Sequence, residues 1–300
     1  MISVIIPHLN QAAELGECLR TLAAQTYPTD QFEIIVVDNG SKAPPTAIVE
    51  RFPGARLLIE TSPGPGPARN TGVAAARGDM IAFIDADCRA HPDWLATIAL
   101  ELRSRPKGTL LGGNVRIWRD AQKKVTAIEA YESVFAYRFK LYIEKQGFSG
   151  TGNLALHRAD FEAIGPFAGI AVAEDMDWGR RARAAGFRFA YIPGMIVFHP
   201  ARRSLAELYA KWDRQTLHYF NMAERKSGWR LRWATRALMI CASPLADVAT
   251  VLRSDRIQGL PARLKAFGVL CAVRIHRART MLGLLHSDRT LAWNREAPSG

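Results

Sequence analysis

The sequence lacks the features of a disulfide-rich, secreted or integral membrane protein. Its four cysteines, Cys18, Cys88, Cys241 and Cys271, form no CxxC pair, so we expect reduced thiols and neither a disulfide framework nor a zinc site. No uncharged apolar run is long enough to span a bilayer. The first residues, MISVIIPHLN, have no basic start, which favours a first strand over a signal peptide. Internal repeats and low-complexity runs are also absent.

Composition and charge are those of a globular protein with a basic last third. The chain has 300 residues, of which 48% are hydrophobic and 23% are charged, so one large or two modest domains with an apolar core are expected. Of the formal net charge of +12, residues 201–300 carry 18 Lys/Arg against 7 Asp/Glu, whereas residues 1–200 carry 22 against 21. This asymmetry points to an anionic partner for the last third, either a membrane surface or a nucleic acid.

Strand and helix patterns alternate over the first third of the chain. Strand patterns occur in ISVIIP, FEIIVVD, ARLLIET and MIAFID, with helix patterns between them at residues 15–24 and in GPARNTGVAAARG. The alternation predicts βαβ units around a parallel sheet, and such sheets bind ligands at the carboxyl ends of their strands. Three polar turns follow strands at that edge: PHLN at 7–10, DNGS at 38–41 and DAD at 85–87.

The pattern changes along the rest of the chain. We predict a helix at 91–105, a strand in TLLGGNVRIW and an aromatic-rich helical segment at 121–145; FSGTGNLALHR follows without an assigned element, and a strand precedes His199 in AYIPGMIVFHP. Beyond about residue 204 only helical periodicity remains. The last third is therefore expected to be a separate helical segment.

Asp85 and Asp87 end a buried strand although two carboxylates so close together repel each other. At a strand end both can point their oxygens at one divalent cation, which offsets the repulsion and can bridge to phosphate oxygens. The alternative is that one or both merely cap the helix that starts near Asp93. The strand before the pair and the two other polar turns at the same edge favour the metal site.

Five stretches together resemble a family 2 glycosyltransferase of the GT-A type. They are SVIIPHLNQAAELGECLRTLAAQTYP, EIIVVDNGS, GPGPARNTGVAAARGDMIAFIDADC, GTGNLALHRADFEAIGPF and AEDMDWGRRARAAGFRFAYIPGMIVFH, and they cover roughly residues 2–200 in family order. The resemblance implies an α/β fold with a GT-A, Rossmann-like, mostly parallel central sheet flanked by helices. It also implies a nucleotide-sugar donor, usually a UDP-sugar, a divalent metal (Mn²⁺ or Mg²⁺), and inversion at the anomeric carbon.

The resemblance assigns donor-binding roles at the predicted edge of the sheet. Pro7 and Asn10 would flank the nucleotide base, with Glu14 near it, and Asp38 would hold the uracil or ribose. Arg69 and Asn70 match the donor-binding turn and helix, for which an ordinary loop before a helix is the alternative. The DxD residues Asp85, Ala86 and Asp87 would bind the donor, and Asp85, Asp87 and His199 would bind the metal. A lone His after a strand can equally be structural.

The resemblance assigns the general base to Asp175, with Glu174 as its supporting neighbour. An inverting transfer needs one base to deprotonate the acceptor hydroxyl on the face opposite the leaving group. The alternative is an acidic helix start stabilised by the helix dipole, which fits Asp177. Gly152 and Asn153 would let the backbone approach the donor sugar, and Trp178 would either stack on the acceptor sugar or pack in the core.

One departure from the family concerns processivity. Processive members carry a QxxRW signature after the histidine, whereas this chain has KWDRQTLHYF there. The residue types are present but their order is not. This favours the addition of one sugar, or a few, over polymerisation.

Two stretches of the last third, WRLRWATRALMI and LPARLKAFGVLCAVRIHRARTMLGLL, mix basic and apolar residues. Apolar residues recur in the second at every third or fourth position, which is typical of a helix in the membrane interface that contacts anionic headgroups. The alternative is a helix pair packed on the catalytic domain with a solvated basic face. Nucleic acid is not expected as a partner because no recognised binding motif accompanies the charge.

These patterns predict two domains. Residues 1–203 would form the catalytic domain, with nucleotide-sugar binding at about 1–110 and the acceptor and base region at about 111–203. Residues 204–300 would form a basic amphipathic helical extension that binds an anionic membrane surface. We expect a peripheral enzyme of the cytoplasmic face of the inner membrane, with a lipid-linked or oligosaccharide acceptor in surface-polysaccharide assembly. The alternatives are a nucleotidyltransferase and a non-catalytic glycan- or lipid-binding module, although the latter should lack a site residue.

Overall fold

The computed structural model describes residues 1–169, 174–223 and 227–285. The chain divides into two compact units. The first consists of Met1–Trp118 and Tyr137–Pro200, and the second of Arg119–Ala136 and the described residues from Ala201 onward. Each unit has apolar cores of its own.

One eight-stranded sheet forms the centre of the first unit. Its strands are β1 (Ile2–His8), β2 (Phe32–Asp38), β3 (Ala55–Ile59), β4 (Met80–Ile84), β5 (Arg89–Ala90), β6 (Thr109–Trp118), β7 (Asn153–His157) and β8 (Arg188–Pro200). Their order across the sheet is β3-β2-β1-β4-β7-β6-β8-β5. Strands β1, β2 and β4 are buried almost throughout and belong to the cores on both faces of the sheet, which is why they appear in the sequence as unbroken apolar runs.

The described α-helices belong to both units. They are α1 (Ala12–Ala23), α2 (Thr46–Val49), α3 (Pro65–Ala74), α4 (Trp94–Ser104), α5 (Ala127–Phe135), α6 (Phe139–Leu141), α7 (Arg158–Ile164), α8 (Glu174–Ala184), α9 (Leu205–Ala223), α10 (Trp229–Ala242), α11 (Pro244–Arg253) and α12 (Leu260–Leu284). A 3₁₀ turn spans Thr29–Gln31 and a π-helical segment spans Tyr142–Gln146. Helices α5 and α9–α12 lie in the second unit and the others in the first.

The sheet is mixed, and most of its strand pairs are parallel, as the sequence predicted. Strands β3, β2, β1 and β4 are parallel, as expected, but β7 runs antiparallel to both β4 and β6. The chain enters β7 at the carboxyl end of β4, so Asn153 pairs with Ile84. This reversal brings the GTGN segment, residues 150–153, next to the paired aspartates.

The predicted helical segment at 121–145 is broken in the structure. Tyr137 has a φ of 48°, a left-handed conformation that a bulky side chain rarely adopts and that ends a helix. Helix α5 therefore stops at Phe135 and packs on α12, and the segment Arg119–Ala136 belongs to the second unit. The sequence analysis had assigned this segment to the first domain.

Helix α12 is the central helix of the second unit. Its buried side chains include Ala266, Leu270, Val273 and Met281, and it packs on α5, α9, α10 and α11. Helix α12 is thus packed within the second unit, whereas the alternative interpretation had a helix pair packed on the catalytic domain. The C-terminal part of the predicted extension, after residue 285, lies outside the described residues.

Exposed apolar side chains of the second unit lie on α12, for example at Leu264, and more densely on α10 and α11. Leu231 and Leu245 are each 77% exposed, and Leu238, Met239 and Leu252 are also exposed. Among the described helices none is by itself both long and apolar enough to cross a membrane. The pair Trp229–Ala242 and Pro244–Arg253, bent by 41° at the break, meets that requirement in length and composition.

Candidate active site

The turns after β1 and β2 are joined by a buried hydrogen-bond network. The Nδ1 atom of His8 lies 2.8 Å from Oδ1 of Asp38, and both residues are 1% exposed. The backbone N–H of Gln11 donates to Nε2 of His8, so the imidazole is neutral with its proton on Nδ1. The Ser41 hydroxyl and backbone N–H also donate to Asp38. Burial alone would raise the pKa of Asp38, but the hydrogen bonds from Ser41 and His8 lower it, and the carboxylate stays ionised.

This network places Asn10, and not the Asp38 carboxylate, at the surface of the edge. Asn10 is exposed with a φ of 54°, its Oδ1 accepts from the N–H of Lys42, and its own N–H donates to Ser41. Pro7 is half-buried at the end of β1, and Glu14 is half-buried in the first turn of α1. Asp38 holds the two turns together from inside, so the structure does not place it where a base or ribose would touch it directly.

Arg69, in α3, links two of the predicted site carboxylates. Its Nη2 donates to Asp85 Oδ1 over 2.9 Å, and its Nη1 donates to Glu174 Oε1. The guanidinium is buried, with a side chain only 5% exposed. Burial lowers the pKa of Arg69, but the charges of Asp85, Glu174 and Asp175 outweigh that effect and raise it. The cation therefore joins the DxD turn to the start of α8.

Two glycines permit this close approach. A Cβ atom at Gly152 would lie 2.5 Å from Oδ2 of Asp85, and a Cβ atom at Gly66 would lie 2.4 Å from the carbonyl oxygen of Ala168. Either contact would displace a neighbour. Gly152 thus makes room for the Asp85 carboxylate, and Gly66 lets α3 approach the loop before α8.

Asp175 lies beside Glu174 at the start of α8 and is held by Thr151. The Thr151 hydroxyl donates to Asp175 Oδ1 over 2.8 Å, and the Thr151 N–H donates to the same oxygen over 3.3 Å. Burial raises the pKa of Asp175, and the charge of Arg69 and the bond from Thr151 only partly oppose it. The pKa of Glu174 is also raised, by burial first. A carboxylate with a raised pKa, held by one oxygen, is suited to accept a proton.

Asp87 and His199 form a second pair at the same edge. Oδ2 of Asp87 lies 3.2 Å from Nε2 of His199, and Nδ1 of His199 donates to the carbonyl of Pro200 over 2.7 Å. The Tyr137 hydroxyl lies 2.8 Å from the same Nε2, and its ring contacts the imidazole in a tilted arrangement, with the ring centres 4.5 Å apart. Burial raises the pKa of Asp87, the charge of His199 lowers it and that of Asp85 raises it, with a raised value as the result.

This second pair fits a divalent cation. The backbone bond at Nδ1 fixes the tautomer that presents the Nε2 lone pair, the usual arrangement of a metal-binding histidine. Ligand atoms of Asp87, Cys88 and His199 lie within 4.8 Å of one another. Asp85, the other predicted metal ligand, is not in this group, and its carboxylate is bound by Arg69. Cys88 is buried, and burial raises the pKa of its thiol, so the available donors are the carboxylate oxygen of Asp87, which is hard, and the imidazole nitrogen of His199, which is borderline.

The side chains of Asn70 and Asn153 form hydrogen bonds with neighbouring segments of the protein. Asn70 exchanges two hydrogen bonds with the backbone of Phe167. The Asn153 side chain is fully buried and bonded to Trp94, Asn114 and Met195.

Trp178 is 1% exposed and packs against Phe161 and Phe167, while its Nε1 donates to the carbonyl of Gly165. The structure therefore favours core packing over sugar stacking for Trp178.

Four residues of the site were not singled out from the sequence: His8, Thr151, Tyr137 and Cys88. His8 and Thr151 stand within motifs that the analysis used, PHLN and GTGN, so their place was predicted although their bonds were not. Tyr137 is brought to His199 by the left-handed turn between α5 and α6, which no local pattern indicates.

The chain is similar in sequence to known glycosyltransferases. The family model "Glycosyl transferase family 2" matches residues 3–165. Glycosyltransferase AglE of Haloferax volcanii is 35% identical over 207 residues, which are 67% of each chain.

Two solved structures share the fold. Mannosyltransferase PcManGT from Pyrobaculum calidifontis, in complex with GDP-Man and Mn²⁺, has a TM-score of 0.62 at 20% identity, over 96% of this chain and 88% of that one. Staphylococcus aureus TarS 1–349, in complex with UDP-GlcNAc, has a TM-score of 0.51 at 20% identity, over 94% and 92%. At this level of identity, both similarities show that the fold is of the GT-A type.

Proposed function

The chain belongs to glycosyl transferase family 2, and from this we propose that it moves a sugar from a nucleotide-diphosphate donor to a hydroxyl of a lipid-linked saccharide, with inversion. We take UDP-sugars as the first candidates for the donor. The observation that carries the proposal is the bridge from Asp85 through Arg69 to Glu174, beside Asp175. Membership of the family argues against a nucleotidyltransferase, and the intact carboxylates argue against a non-catalytic module.

Asp175 is the proposed general base. Thr151 occupies its Oδ1, which leaves Oδ2 as the oxygen to take the proton of the acceptor hydroxyl as that hydroxyl attacks the anomeric carbon. The bond to the nucleotide diphosphate breaks on the opposite face of the sugar, which gives inversion. Arg69 is a positioning residue, because it orients Glu174 and Asp85 on the two sides of the reacting group.

Asp87 and His199 would hold Mn²⁺ or Mg²⁺. A cation there supplies charge that stabilises the departing diphosphate. Nε2 of His199 would exchange its contact with the Tyr137 hydroxyl for the ion, while the bond from Nδ1 to Pro200 keeps the ring in place.

Substitution of Asp87 tests the metal site. We expect Asp87→Ala to weaken binding of UDP in the presence of Mn²⁺ by about 10–100-fold, as loss of groups that support a metal commonly does, without unfolding the protein. Asp85→Ala should have a smaller effect, because Asp85 contacts Arg69 and lies outside the ligand group. Calorimetric titration with UDP, with and without Mn²⁺, measures both.

The controls for this measurement are Asp30→Ala, at an exposed residue of the 3₁₀ turn, and Cys88→Ala. Both should bind as the wild type does, the second because a buried, protonated thiol is a poor ligand for a hard cation. Wild-type affinity in Asp87→Ala would contradict the metal role, and a large loss in Cys88→Ala would assign a soft metal to the site.

The donor itself is tested with the whole chain in detergent. UDP, GDP and their sugar conjugates are added singly with Mn²⁺, and the midpoint of thermal unfolding is followed, since a ligand that binds the folded state raises it. The proposal expects stabilisation by a nucleotide diphosphate, with UDP above GDP. Absence of stabilisation by every nucleotide tested would contradict it, and a larger effect of GDP would change the donor.

We further propose that the protein is peripheral on the cytoplasmic leaflet, bound through α10 and α11. The exposed apolar residues of these helices, among them Leu238, Met239 and Leu245, are accompanied by exposed arginines such as Arg232 and Arg253. Apolar side chains of this kind enter the acyl boundary while basic ones contact anionic headgroups. The excess of basic residues beyond residue 200 supports the same orientation.

Vesicle sedimentation tests the membrane proposal. The protein should sediment with anionic vesicles and less with neutral ones, and salt should release only part of it, because salt screens the charges but not the apolar contacts. The double variant Leu238→Glu/Leu245→Glu should reduce binding at least tenfold, since burial of each leucine contributes about 2 kcal/mol. Leu100→Glu, at an exposed leucine of α4, is the matched control. If the wild type ignores anionic vesicles, the peripheral localisation is wrong.

A further inference from the structure

The second unit contains a buried arginine that has no anionic partner among the described residues. Arg277 of α12 is 7% exposed, and its guanidinium carbon lies 4.0 Å from the centre of the Trp212 ring. Within the described parts of the chain no carboxylate forms an ion pair with it, and its Nε has no hydrogen-bond acceptor. A buried, unpaired charge is costly to a fold, so its presence calls for a functional explanation.

The groups around Arg277 are also cationic. Arg274 lies one turn earlier on α12, and only its Nη2 reaches a carboxylate, that of Asp247 at 3.3 Å, while its Nε is unpaired. Arg236 of α10 lies over the Tyr219 ring at 5.3 Å. Burial, followed by the charges of Arg274 and Arg236, lowers the pKa of Arg277 to about 10. Three guanidinium groups thus face one region with few negative charges.

A buried hydroxyl belongs to the same region. Thr216 is 1% exposed, and its Oγ1 has no hydrogen-bond partner among the described residues. It lies one helical turn after Trp212, on the same face of α9. Asp213 accepts from His276 and Thr280 and so fixes this part of α9 against α12. Helices α9 and α12 thus each carry a buried polar atom that has no partner among the described residues, and an anion with several oxygens could accept from such donors.

We propose that Arg277, with Arg274, Arg236 and Thr216, binds the phosphate or diphosphate group of a lipid. Guanidinium groups bind phosphate through paired hydrogen bonds, and several of them suit an anion of more than one charge. The choice of a lipid rests on the proposed lipid-linked acceptor and on α10, which carries Arg236 next to the exposed Met239, three positions later on the helix. One helix thus offers a cation to the headgroup and apolar side chains to the lipid chain.

The test uses the full chain in detergent, without nucleotide or Mn²⁺, and three probes: farnesyl diphosphate, inorganic pyrophosphate and farnesol. Farnesyl diphosphate should bind best and raise the thermal midpoint, pyrophosphate should bind more weakly, and farnesol should have no effect. Arg277→Met should weaken binding of farnesyl diphosphate by about tenfold to a hundredfold, the range expected for lost hydrogen bonds to a charged group. Without ligand its thermal midpoint should equal or exceed that of the wild type, because an unpaired buried charge is removed.

Matched variants separate this site from a structural cation–π pair. Arg279→Met, at an exposed arginine of the same helix, should bind as the wild type does. Thr216→Val should weaken binding less than Arg277→Met does, and it keeps the proposal testable if that variant fails to fold. Equal affinity of wild type and Arg277→Met, or no response of the wild type, would overturn the site, and equal affinity for pyrophosphate and farnesyl diphosphate would overturn the lipid as its source.

A nucleotide titration with Mn²⁺ on the same variants distinguishes failure of the lipid phosphate site from failure of the proposed nucleotide-sugar donor. Arg277→Met should bind UDP as the wild type does. A response to farnesyl diphosphate without any nucleotide binding would contradict the proposed donor and leave the phosphate site standing. Nucleotide binding with no response to farnesyl diphosphate would contradict the phosphate site and leave the proposed donor standing.

Discussion

Replacement of Asp175 by Asn is expected to leave donor affinity nearly unchanged and to lower turnover by about 10²–10⁴, the usual contribution of a general base. The amide keeps the shape of the side chain and can still pair with Thr151, which bonds the carboxylate in the wild type. It cannot take up a proton from the acceptor hydroxyl. Single-turnover transfer and calorimetric donor binding, measured on the same preparation, separate the two effects.

The pH profile supplies a second measurement of the same group. The base must be ionised to act, and burial raises the pKa of Asp175, so kcat/KM of the wild type should fall at a higher pH than an ordinary aspartate would give as the medium is acidified. Asp177→Asn is the matched control: Asp177 lies in the same helix, half-exposed, with its carboxylate paired to Arg181, and its loss should leave turnover and profile unchanged. Turnover above a tenth of the wild-type value in Asp175→Asn would move the base to another group, first to Glu174.

The sequence predicted the part of the site that strand ends determine. Because β1, β2 and β4 are apolar runs that stop at polar turns, the meeting of His8, Asp38 and Asp85 at one edge follows from parallel pairing, and the register confirms that His8 pairs with Asp38. The same apolar runs, with helix patterns between them, also predicted the α/β fold class. The direction of β7 was not predicted, because a short apolar strand carries no information about the orientation of its neighbour.

Contacts between distant segments could not be predicted. The bridge from Arg69 to Glu174 joins residues 105 positions apart, and whether a carboxylate faces a cation or a ligand depends on packing that no periodicity describes. Trp178 shows the same limit, since an aromatic residue beside acidic ones fits both a sugar platform and a core, and only its burial by Phe161 and Phe167 decides. Helix α12 shows the same limit, because its three- and four-residue spacing of apolar side chains fits both a membrane-facing helix and one that packs on several neighbours.

Arg69 is the residue on which the largest stability effect is expected. It is the cation between the carboxylates of Asp85 and Glu174, and its charge also lowers the pKa of Asp175. Without it these groups would repel one another in a partly buried setting. Removal of one partner from a buried ion pair commonly destabilises a protein by about 3–5 kcal/mol. The lower end applies here, because the Asp85 side chain is 38% exposed and water screens its charge.

Arg69→Met, which keeps the length of the side chain and removes its charge, should therefore lower the free energy of unfolding by about 3 kcal/mol and the thermal midpoint by on the order of 10 °C. The deficit should shrink as the pH is lowered: in the variant the pKa values of Glu174 and Asp175, already raised by burial, lie further above their unfolded values, so the folded state binds more protons than the unfolded state and loses stability as the pH rises. For the same reason the acid limb of kcat/KM should move to higher pH.

Thermal unfolding across a pH series checks the first two effects, and the control is Arg180→Met, at an exposed arginine of α8, which should change neither. A midpoint within 2 °C or so of the wild type at neutral pH, where 1 kcal/mol corresponds to roughly 2–4 °C, would show that the bridge is not what keeps these carboxylates together.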